Sequence, residues 1–183
     1  MEPLAGRGLS LRELSQRFAA EGRIEAILLR SSRRGSVISV AEARAEPGRG
    51  LLGDHRADTV RRGESARRRE LTLLQFEHLD TIARWCGIPS LDPSRLRRNL
   101  VVSGLNLTAM RSPFPDVRLV WSIEDMVRIE ITGSCDPCSR MEAELGPGGY
   151  NALRGHGGMT ARILVGGEIR VGDRVHLDAV EQI

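Results

Sequence analysis

Alternating and short apolar runs recur along this chain, and they predict a protein built mainly from β-strands. The segment "MVRIEIT" (126–132) alternates strictly, with Val127, Ile129 and Ile131 on one face and polar side chains on the other. Near the C-terminus, "MTARILV", "EIRV" and "RVHL" predict three short strands separated by tight Gly-Gly and Gly-Asp turns. Further segments typical of strands are "RIEAILLR" (23–30), "SVISVAEAR" (36–44) and "NLVV" (99–102).

Helical spacing is confined to a few short segments. A capping box of Ser10 and Glu13 predicts an N-terminal helix over 10–21. "ELTLLQFEHLDTIARWCG" begins as a strand and continues with helical spacing. We therefore expect a mainly β protein with a few helices (α+β), arranged as a barrel or sandwich. It should consist of a helical extension (1–22) and a single domain (23–183).

Composition limits the chemistry that the chain can perform. Its 183 residues carry a net charge of +3, and every basic residue apart from the histidines is arginine. Without a lysine, the chain cannot form an internal Schiff base with pyridoxal phosphate. The run "RRGESARRRE" (61–70) is either a solvated loop or an anion site. Aromatic residues make up only 3%, which argues against a nucleic-acid partner.

The sequence also indicates where the protein resides. No apolar run reaches the roughly 20 residues that a membrane span needs. The N-terminal segment has an acidic second residue and lacks the apolar core of a signal peptide. We therefore expect a cytoplasmic protein without a membrane partner, in which cysteines stay reduced.

Two of the three cysteines, Cys135 and Cys138, stand two residues apart in "TGSCDPCSRMEAELG". Ser139 and Glu142 match a second capping box, so a helix should begin directly behind Cys138. The positive end of that helix and the charge of Arg140 both favour a thiolate. The pattern indicates that Cys138 is an exposed nucleophile or a ligand to a soft metal, with Cys135 as a neighbour or resolving thiol.

Three other uses of the cysteine pair stay open. A structural zinc site needs four ligands, and the histidines are scattered. A thioredoxin-like redox pair requires a βαβ context, which the strand-rich pattern does not provide. An incidental pair in a tight loop would have no chemical function. The histidines of the chain are His55, His78, His156 and His176.

Five segments of the chain, in this order, resemble the MOSC domain family, which is named for the C-terminal domain of molybdenum cofactor sulfurase. They are "GLLGDHRAD", "ELTLLQFEHL", "LRRNLVVSGLNL", "GSCDPCSRMEAELGPGGYNALRGHGGMTARIL" and "GEIRVGDRV". The resemblance extends from Gly22 to Leu177 and implies a closed, barrel-like fold. By its position in the Pro-Cys motif, Cys138 corresponds to the cysteine that carries sulfur in some members and ligates molybdenum in others.

The resemblance implies a protein that binds the molybdenum cofactor (molybdopterin), with Cys138 as the metal ligand. Members of this kind reduce N-hydroxylated small molecules with electrons from a redox partner protein. The alternative is a sulfur carrier or adaptor that holds a persulfide on Cys138, supplied by a partner of the cysteine desulfurase type. A non-catalytic anion-binding module that uses the arginine run is a third possibility.

The resemblance also suggests which side chains bind the cofactor, because a phosphate and a pterin ring suit arginine, amide and backbone N–H donors. Arg97 and Asn99 alternate onto one face as a strand begins, so we expect them to reach one pocket. The alternative for Asn99 is a bond in the turn at the strand end. The remaining candidates are Arg140 and the "RGHGG" residues Arg154, His156, Gly157 and Gly158, whose glycines either let backbone approach a ligand or form a turn.

Two further pairs of residues complete the candidate features. Asp54 and His55 form either a polar pair at the pocket mouth or a hydrogen bond within a loop. Glu124 and Asp125 stand where members of the family often have an aliphatic residue and a glycine. A polar turn at this position would replace the glycine.

Overall fold

The computed structural model of the chain describes residues 8–33, 35–57 and 69–183. Its strands are β1 (Gly22–Leu29), β2 (Ile38–Val40), β3 (Glu42–Glu46), β4 (Gly50–Leu51), β5 (Leu71–Gln75), β6 (Leu100–Ser103), β7 (Val117–Ile123), β8 (Val127–Ser134), β9 (Met159–Val165), β10 (Gly167–Arg170) and β11 (Arg174–Gln182). The helices in these ranges are α1 (Leu11–Leu14), α2 (His78–Trp85), α3 (Ser139–Leu145) and α4 (Gly149–Ala152), and a 3-10 turn covers Pro93–Leu96. None of these helices is both long and apolar enough to cross a membrane.

Seven of these strands close into a mixed barrel, in the order β1, β11, β7, β8, β9, β5, β6 and back to β1. Neighbouring strands are antiparallel except β5 and β6, which run parallel and are connected through α2. Strand β2 extends the sheet beside β1, and β10, β3 and β4 form a separate three-stranded sheet. The closed, strand-dominated barrel confirms the fold class predicted from the sequence.

The barrel interior is filled with apolar side chains from all seven barrel strands. Trp121 is fully buried there, and its indole N–H donates a hydrogen bond of 2.8 Å to the carbonyl oxygen of Met110. In β8, Val127, Ile129 and Ile131 are buried, as their alternation predicted. Burial of these apolar faces is the main force that holds the barrel together.

A second apolar cluster lies on the opposite face of β1, β5 and β6. It packs α2, the 3-10 turn and α3 against the barrel wall through residues that include Ile82, Leu96 and Met141. Because Met141 is fixed in this cluster, the N-terminal end of α3 has a defined position on the barrel. Cys138, which precedes α3, is positioned by this packing.

The N-terminal helix is shorter than the predicted helix over 10–21. The capping box of Ser10 and Glu13 is present, but α1 contains only four residues. Phe18 lies beyond the helix and packs edge-on against Trp121, with the ring centroids 4.6 Å apart. The apolar spacing thus reflects a contact made from irregular backbone, because the chain leaves the helix before Phe18 reaches the core.

Helix α3 begins directly behind Cys138, as predicted, but the predicted capping box is wrong. Cys138 occupies the N-cap position without a side-chain hydrogen bond, and Ser139 is the first helical residue. Glu142 instead accepts hydrogen bonds of 2.8 Å from the backbone N–H groups of Gly148 and Tyr150. These two donors lower the pKa of Glu142, with Tyr150 the larger contributor. Glu142 therefore stabilises the connection between α3 and α4.

The polar pair Glu124 and Asp125 forms the tight turn between β7 and β8. Their φ angles of 45° and 58° are left-handed, and the N–H of Met126 donates to the carbonyl oxygen of Ile123 at 3.2 Å. This is the geometry of a type I′ hairpin turn, for which glycine is favoured. Two acidic residues thus form the polar turn that the sequence predicted at this position.

Candidate functional site

An open cleft of about 570 Å³ lies beside the N-terminal end of α3 and includes both cysteines of the motif. No carboxylate belongs to its lining in the described part of the chain. Six guanidinium groups and one imidazole around two thiols favour an anionic ligand. The lining residues are Arg30, Arg33, His55, Arg56, Thr72, Leu96, Arg97, Arg98, Cys135, Cys138, Arg140 and Met141.

The two cysteines of the motif differ in how the fold holds them. Cys138 is exposed, whereas Cys135 is half-buried, and neither is in a disulfide. The N–H of Cys135 donates to the carbonyl oxygen of Gly158 at 2.8 Å, which fixes this residue against the loop 154–158. The carbonyl oxygen of Cys138 accepts from the N–H of Met141 at 2.8 Å. The cleft therefore offers one accessible thiol at the start of a helix.

The described residues do not supply the four ligands of a structural zinc site at these cysteines. Within residues 8–33, 35–57 and 69–183, no group of three or more His, Cys, Asp or Glu side chains is placed to hold a metal ion. A soft metal that reached the cleft would meet one exposed cysteine of the motif, Cys138.

Arg97 lies in the cleft in a left-handed conformation, with φ 60°, at the end of the 3-10 turn. Its guanidinium donates to the carbonyl oxygens of Arg33 at 3.0 Å and Gly35 at 3.1 Å. Burial, followed by the charges of Arg140 and Arg30, lowers the pKa of Arg97. The positive charges in the cleft therefore repel one another, and a bound anion would relieve this repulsion.

Asn99 does not join Arg97 in the cleft lining, contrary to the prediction. The expected alternation fails because β6 begins only at Leu100, whereas Arg97 belongs to the preceding turn. Asn99 is 2% exposed, accepts from the hydroxyl of Thr72 at 2.9 Å and donates to Asp54 at 3.3 Å. Its buried amide therefore connects Thr72, which lines the cleft, to Asp54, which lies beneath the lining.

Asp54 is a buried carboxylate that contacts Asn99, Arg30 and His55. It is 1% exposed, and its Oδ2 accepts from the backbone N–H of Arg30 at 3.1 Å and from its guanidinium Nε at 3.4 Å. Its other oxygen lies 3.1 Å from Nδ1 of His55, whose side chain lines the cleft. A buried carboxylate paired in this way fixes the cations beside it. Asp54 thus orients Arg30 and His55 from below the cleft.

The glycines of the "RGHGG" loop pack against protein backbone. A Cβ atom on Gly157 would overlap the carbonyl oxygen of Cys135, and one on Gly158 would overlap that of Leu73. Gly158 also has a left-handed φ of 92°. Close approach of the loop 154–158 to the cysteine segment and to β5 therefore requires glycine at both positions.

The two side chains expected from this loop lie outside the cleft lining. Arg154 is exposed and does not line the cleft. It also does not line a second cavity that borders Cys135. His156 places its Nδ1 3.3 Å from Nδ1 of His78, and its ring centroid 5.0 Å from that of Trp85. The prediction that Arg154 and His156 line one pocket with Arg97 is therefore wrong.

Arg98 is one of four cleft arginines that were not predicted from the sequence. Its Nε donates to the carbonyl oxygen of Gly157 at 2.6 Å, and its two terminal nitrogens donate to those of Leu96 at 2.8 Å and Cys135 at 3.3 Å. One guanidinium thus joins three segments around the cysteines. In the sequence, Arg98 is only the second arginine of "LRRN", and its contacts depend on the left-handed turn at Arg97.

Three further cleft arginines escaped prediction because they lie in separate parts of the sequence. Arg30 follows β1, Arg33 is in the turn behind it, and Arg56 follows the Asp-His pair. Residues 61–68 of the arginine run lie outside the described residues, so that prediction is not tested.

A second cavity of about 500 Å³ also borders Cys135 but does not include Cys138. Arg111 and Asp136 are the charged residues of its described lining, so it lacks the excess of positive charge found in the cleft. The cleft is therefore the better candidate for an anionic cofactor.

Comparisons with known proteins agree with this architecture. The chain matches the family model of the MOSC domain over residues 47–176. It is similar to the crystal structure of YuaD from Bacillus subtilis, with 17% identity and a TM-score of 0.68, covering 90% of this chain and 97% of that chain. It is also similar to YiiM from Escherichia coli, with 16% identity and a TM-score of 0.61, covering 86% and 70%. At these identities, the structural similarity supports the fold alone. No curated protein matches the chain at a significant level.

Proposed function

We propose that this chain, which belongs to the MOSC domain family, binds the molybdenum cofactor in the arginine-rich cleft, with Cys138 as a thiolate ligand to the metal. One observation carries the proposal: the accessible thiol and six guanidinium groups line the same cleft of about 570 Å³. A soft thiolate suits molybdenum. Arginine suits phosphate because its planar fork donates two parallel hydrogen bonds.

The charges of the cleft fit the terminal phosphate of molybdopterin. Within the described ranges, Arg33, Arg97 and Arg140 form no ion pair with a carboxylate. Their positive charges are therefore available to a ligand. Arg30 is held by Asp54, and all three guanidinium nitrogens of Arg98 donate to backbone carbonyls, so these two residues shape the cleft wall. Arg97 donates to two carbonyls through its terminal nitrogens only, and no carboxylate of the described residues neutralises its charge.

When bound, the molybdenum centre supplies the redox chemistry, as cofactors generally do. The chain itself holds the metal through Cys138, binds the phosphate through its arginines and fixes the neighbouring Cys135 segment through Arg98. We propose that the protein is a component of a reductase that acts on N-hydroxylated small molecules. Its electrons would come from a redox partner protein in the cytoplasm, where thiols stay reduced.

Molybdenum content tests the proposal directly. The protein is purified from a host that makes the cofactor, and bound molybdenum is measured by mass spectrometry alongside the fluorescence of the released pterin. We expect Cys138→Ser to lose the metal, while Cys86→Ser, a cysteine outside the cleft lining, keeps it. Arg97→Ala should lower the pterin content as well. A wild-type protein without molybdenum, or a Cys138→Ser variant that retains it, would refute the proposal.

Sulfur transfer is the second candidate function. It is favoured by the exposure of Cys138 and by the presence of Cys135 in the same cleft. In this case, incubation with a cysteine desulfurase and cysteine should add one sulfur atom to the Cys138 peptide, and the purified protein should contain no molybdenum. A protein that binds pterin phosphate without metal or persulfide would instead be an anion-binding module.

A further inference from the structure

A pair of histidines lies outside the cleft, where α2 begins. His78 is the first residue of α2 and His156 belongs to the loop 154–158. Their Nδ1 atoms are 3.3 Å apart, and the ring planes meet at 79°. Trp85, two turns further along α2, places its ring centroid 5.0 Å from that of His156. The proposed cofactor site uses none of these three side chains.

The separation of the two nitrogens matches that of two ligands on one metal ion. Tetrahedral zinc with Zn–N bonds of about 2.0–2.1 Å separates its ligand nitrogens by about 3.3–3.4 Å. Imidazole suits zinc, copper and nickel. Metal binds the neutral imidazole through the lone pair of its unprotonated nitrogen.

We propose that His78 and His156 bind one divalent transition-metal ion through their Nδ1 atoms, with water in the remaining positions. Both rings are half-buried, and Trp85 is 57% exposed, so the ion can reach the pair from solvent. Among the described residues, no carboxylate or thiol adds a third ligand. The bound ion should therefore exchange with solvent, unlike the permanently held ion of a closed structural site.

An ion at this pair would also restrain the cysteine segment. His156 is followed by Gly157 and Gly158, and Gly158 accepts the backbone hydrogen bond of Cys135. Since the metal joins His156 to α2, it fixes the loop 154–158 and the residue attached to it. The site thus connects a surface metal to the wall of the cleft.

Trp85 provides the reporter for a test, because a bound Cu²⁺ ion quenches the fluorescence of an indole nearby. All three cysteines are replaced by serine (Cys86→Ser, Cys135→Ser and Cys138→Ser) so that thiols neither bind nor reduce the copper. We expect saturable quenching with one Cu²⁺ per chain. Removing a residue that only hydrogen-bonds to a metal ligand lowers metal affinity by about tenfold to a hundredfold. Removing a ligand itself should cost at least as much, so we expect His78→Ala and His156→Ala each to weaken copper binding by about tenfold or more.

Matched controls separate metal binding from changes in the loop. His176→Ala removes a histidine outside the pair and should leave the titration unchanged. Trp85→Phe should keep copper binding in calorimetry while the quenching disappears. His156→Gln, which retains a polar side chain, should lose binding without unfolding, as circular dichroism would show.

The pH dependence gives an independent readout. Protons compete with the metal for imidazole nitrogen, so binding should weaken from about pH 7.5 to about pH 5.5. Equal quenching in the His78→Ala/His156→Ala double variant, or quenching that never saturates, would overturn the proposal.

Discussion

The three cysteines illustrate how strongly individual residues differ in their surroundings. Cys138 is exposed in the cleft, whereas Cys135 is half-buried and fixed by its backbone. Burial raises the pKa of Cys86, which is the C-cap residue of α2. We expect iodoacetamide at mildly acidic pH to label Cys138 first, because it is the exposed cysteine, and Cys86 last, because its raised pKa keeps its thiolate fraction low. Labelling is measured peptide by peptide.

The control for this prediction is Cys138→Ser, which should remove the fast phase of labelling and leave the slow phase intact. If Cys135 reacts first, the assignment of the family's functional cysteine to Cys138 is wrong.

Gly158 provides a second prediction about a single residue. Alanine there would face both a left-handed φ of 92° and overlap with the carbonyl oxygen of Leu73, so the loss of stability should be about 1–3 kcal/mol or more. Gly155→Ala, in the same loop, meets open space at a φ of 77° and should cost less. Urea unfolding measures both variants. Equal losses would show that only the backbone angle, and not the close approach, demands glycine.

The "LRRN" motif shows how far the site could be predicted from the sequence. Arginines near the cysteines were expected, and Arg97 does line the cleft. The roles of Arg98 and Asn99 were not predictable, because they depend on a left-handed turn at Arg97 that shifts the start of β6. Backbone handedness at a non-glycine residue leaves no clear signal in a single sequence.

Among the secondary-structure elements, the connection between α3 and α4 depends on one carboxylate. Two backbone N–H groups stabilise the charged form of Glu142, so its pKa in the folded protein lies below the unfolded value. The contribution is present above the unfolded pKa and is lost as the pH falls through the folded pKa. Glu142→Gln should therefore lower stability at about pH 7. The difference between the two proteins should shrink at about pH 3.

Urea unfolding at both pH values checks this prediction. Glu144→Gln is a suitable control, since this residue is on the same helix but its carboxylate does not accept the hydrogen bonds of Gly148 and Tyr150. A difference between wild type and Glu142→Gln that stays constant with pH would contradict the assigned role.

The N-terminal segment is held by Phe18 more than by α1. Phe18 packs against Trp121, whereas Leu11 in the helix is 75% exposed. Phe18→Ala should therefore cost about 1–3 kcal/mol, less than the truncation of a fully buried phenylalanine. Leu11→Ala should cost little. Thermal unfolding measures the stability of both variants. Equal losses of stability would mean that α1 holds the N-terminal segment as strongly as Phe18 does.

The sequence predicted the strands more accurately than the length of the N-terminal helix, and the reason is physical. The alternation in β8 is a local pattern, and each apolar residue faces the core directly. The length of α1 instead depends on where Trp121 lies, more than one hundred positions along the chain from Phe18. Tertiary contacts of this kind override local helical spacing.

At the scale of the whole molecule, residues 23–183 are predicted to form one domain. Because one apolar cluster draws on all seven barrel strands, unfolding should be a single cooperative transition. Far-ultraviolet circular dichroism and tryptophan fluorescence should give the same midpoint in urea. A chain without residues 1–20 should stay folded and lose about as much stability as Phe18→Ala. Two separate transitions, or an insoluble truncated chain, would show that the boundary is wrong.

The seam of the barrel has a consequence for how the protein is made. Strand β1 pairs with β11 at Gly22–Val175 and Arg23–Arg174, so the first and the last barrel strands close the structure. During synthesis, β11 leaves the ribosome after all the other strands. Until then, the edges of β1 and β7 that pair with β11 stay unpaired. Bringing such distant segments together is entropically costly and slow. Newly made chains therefore pass through a stage in which unpaired apolar strands are exposed to aggregation, and chaperones would act on the protein at that stage.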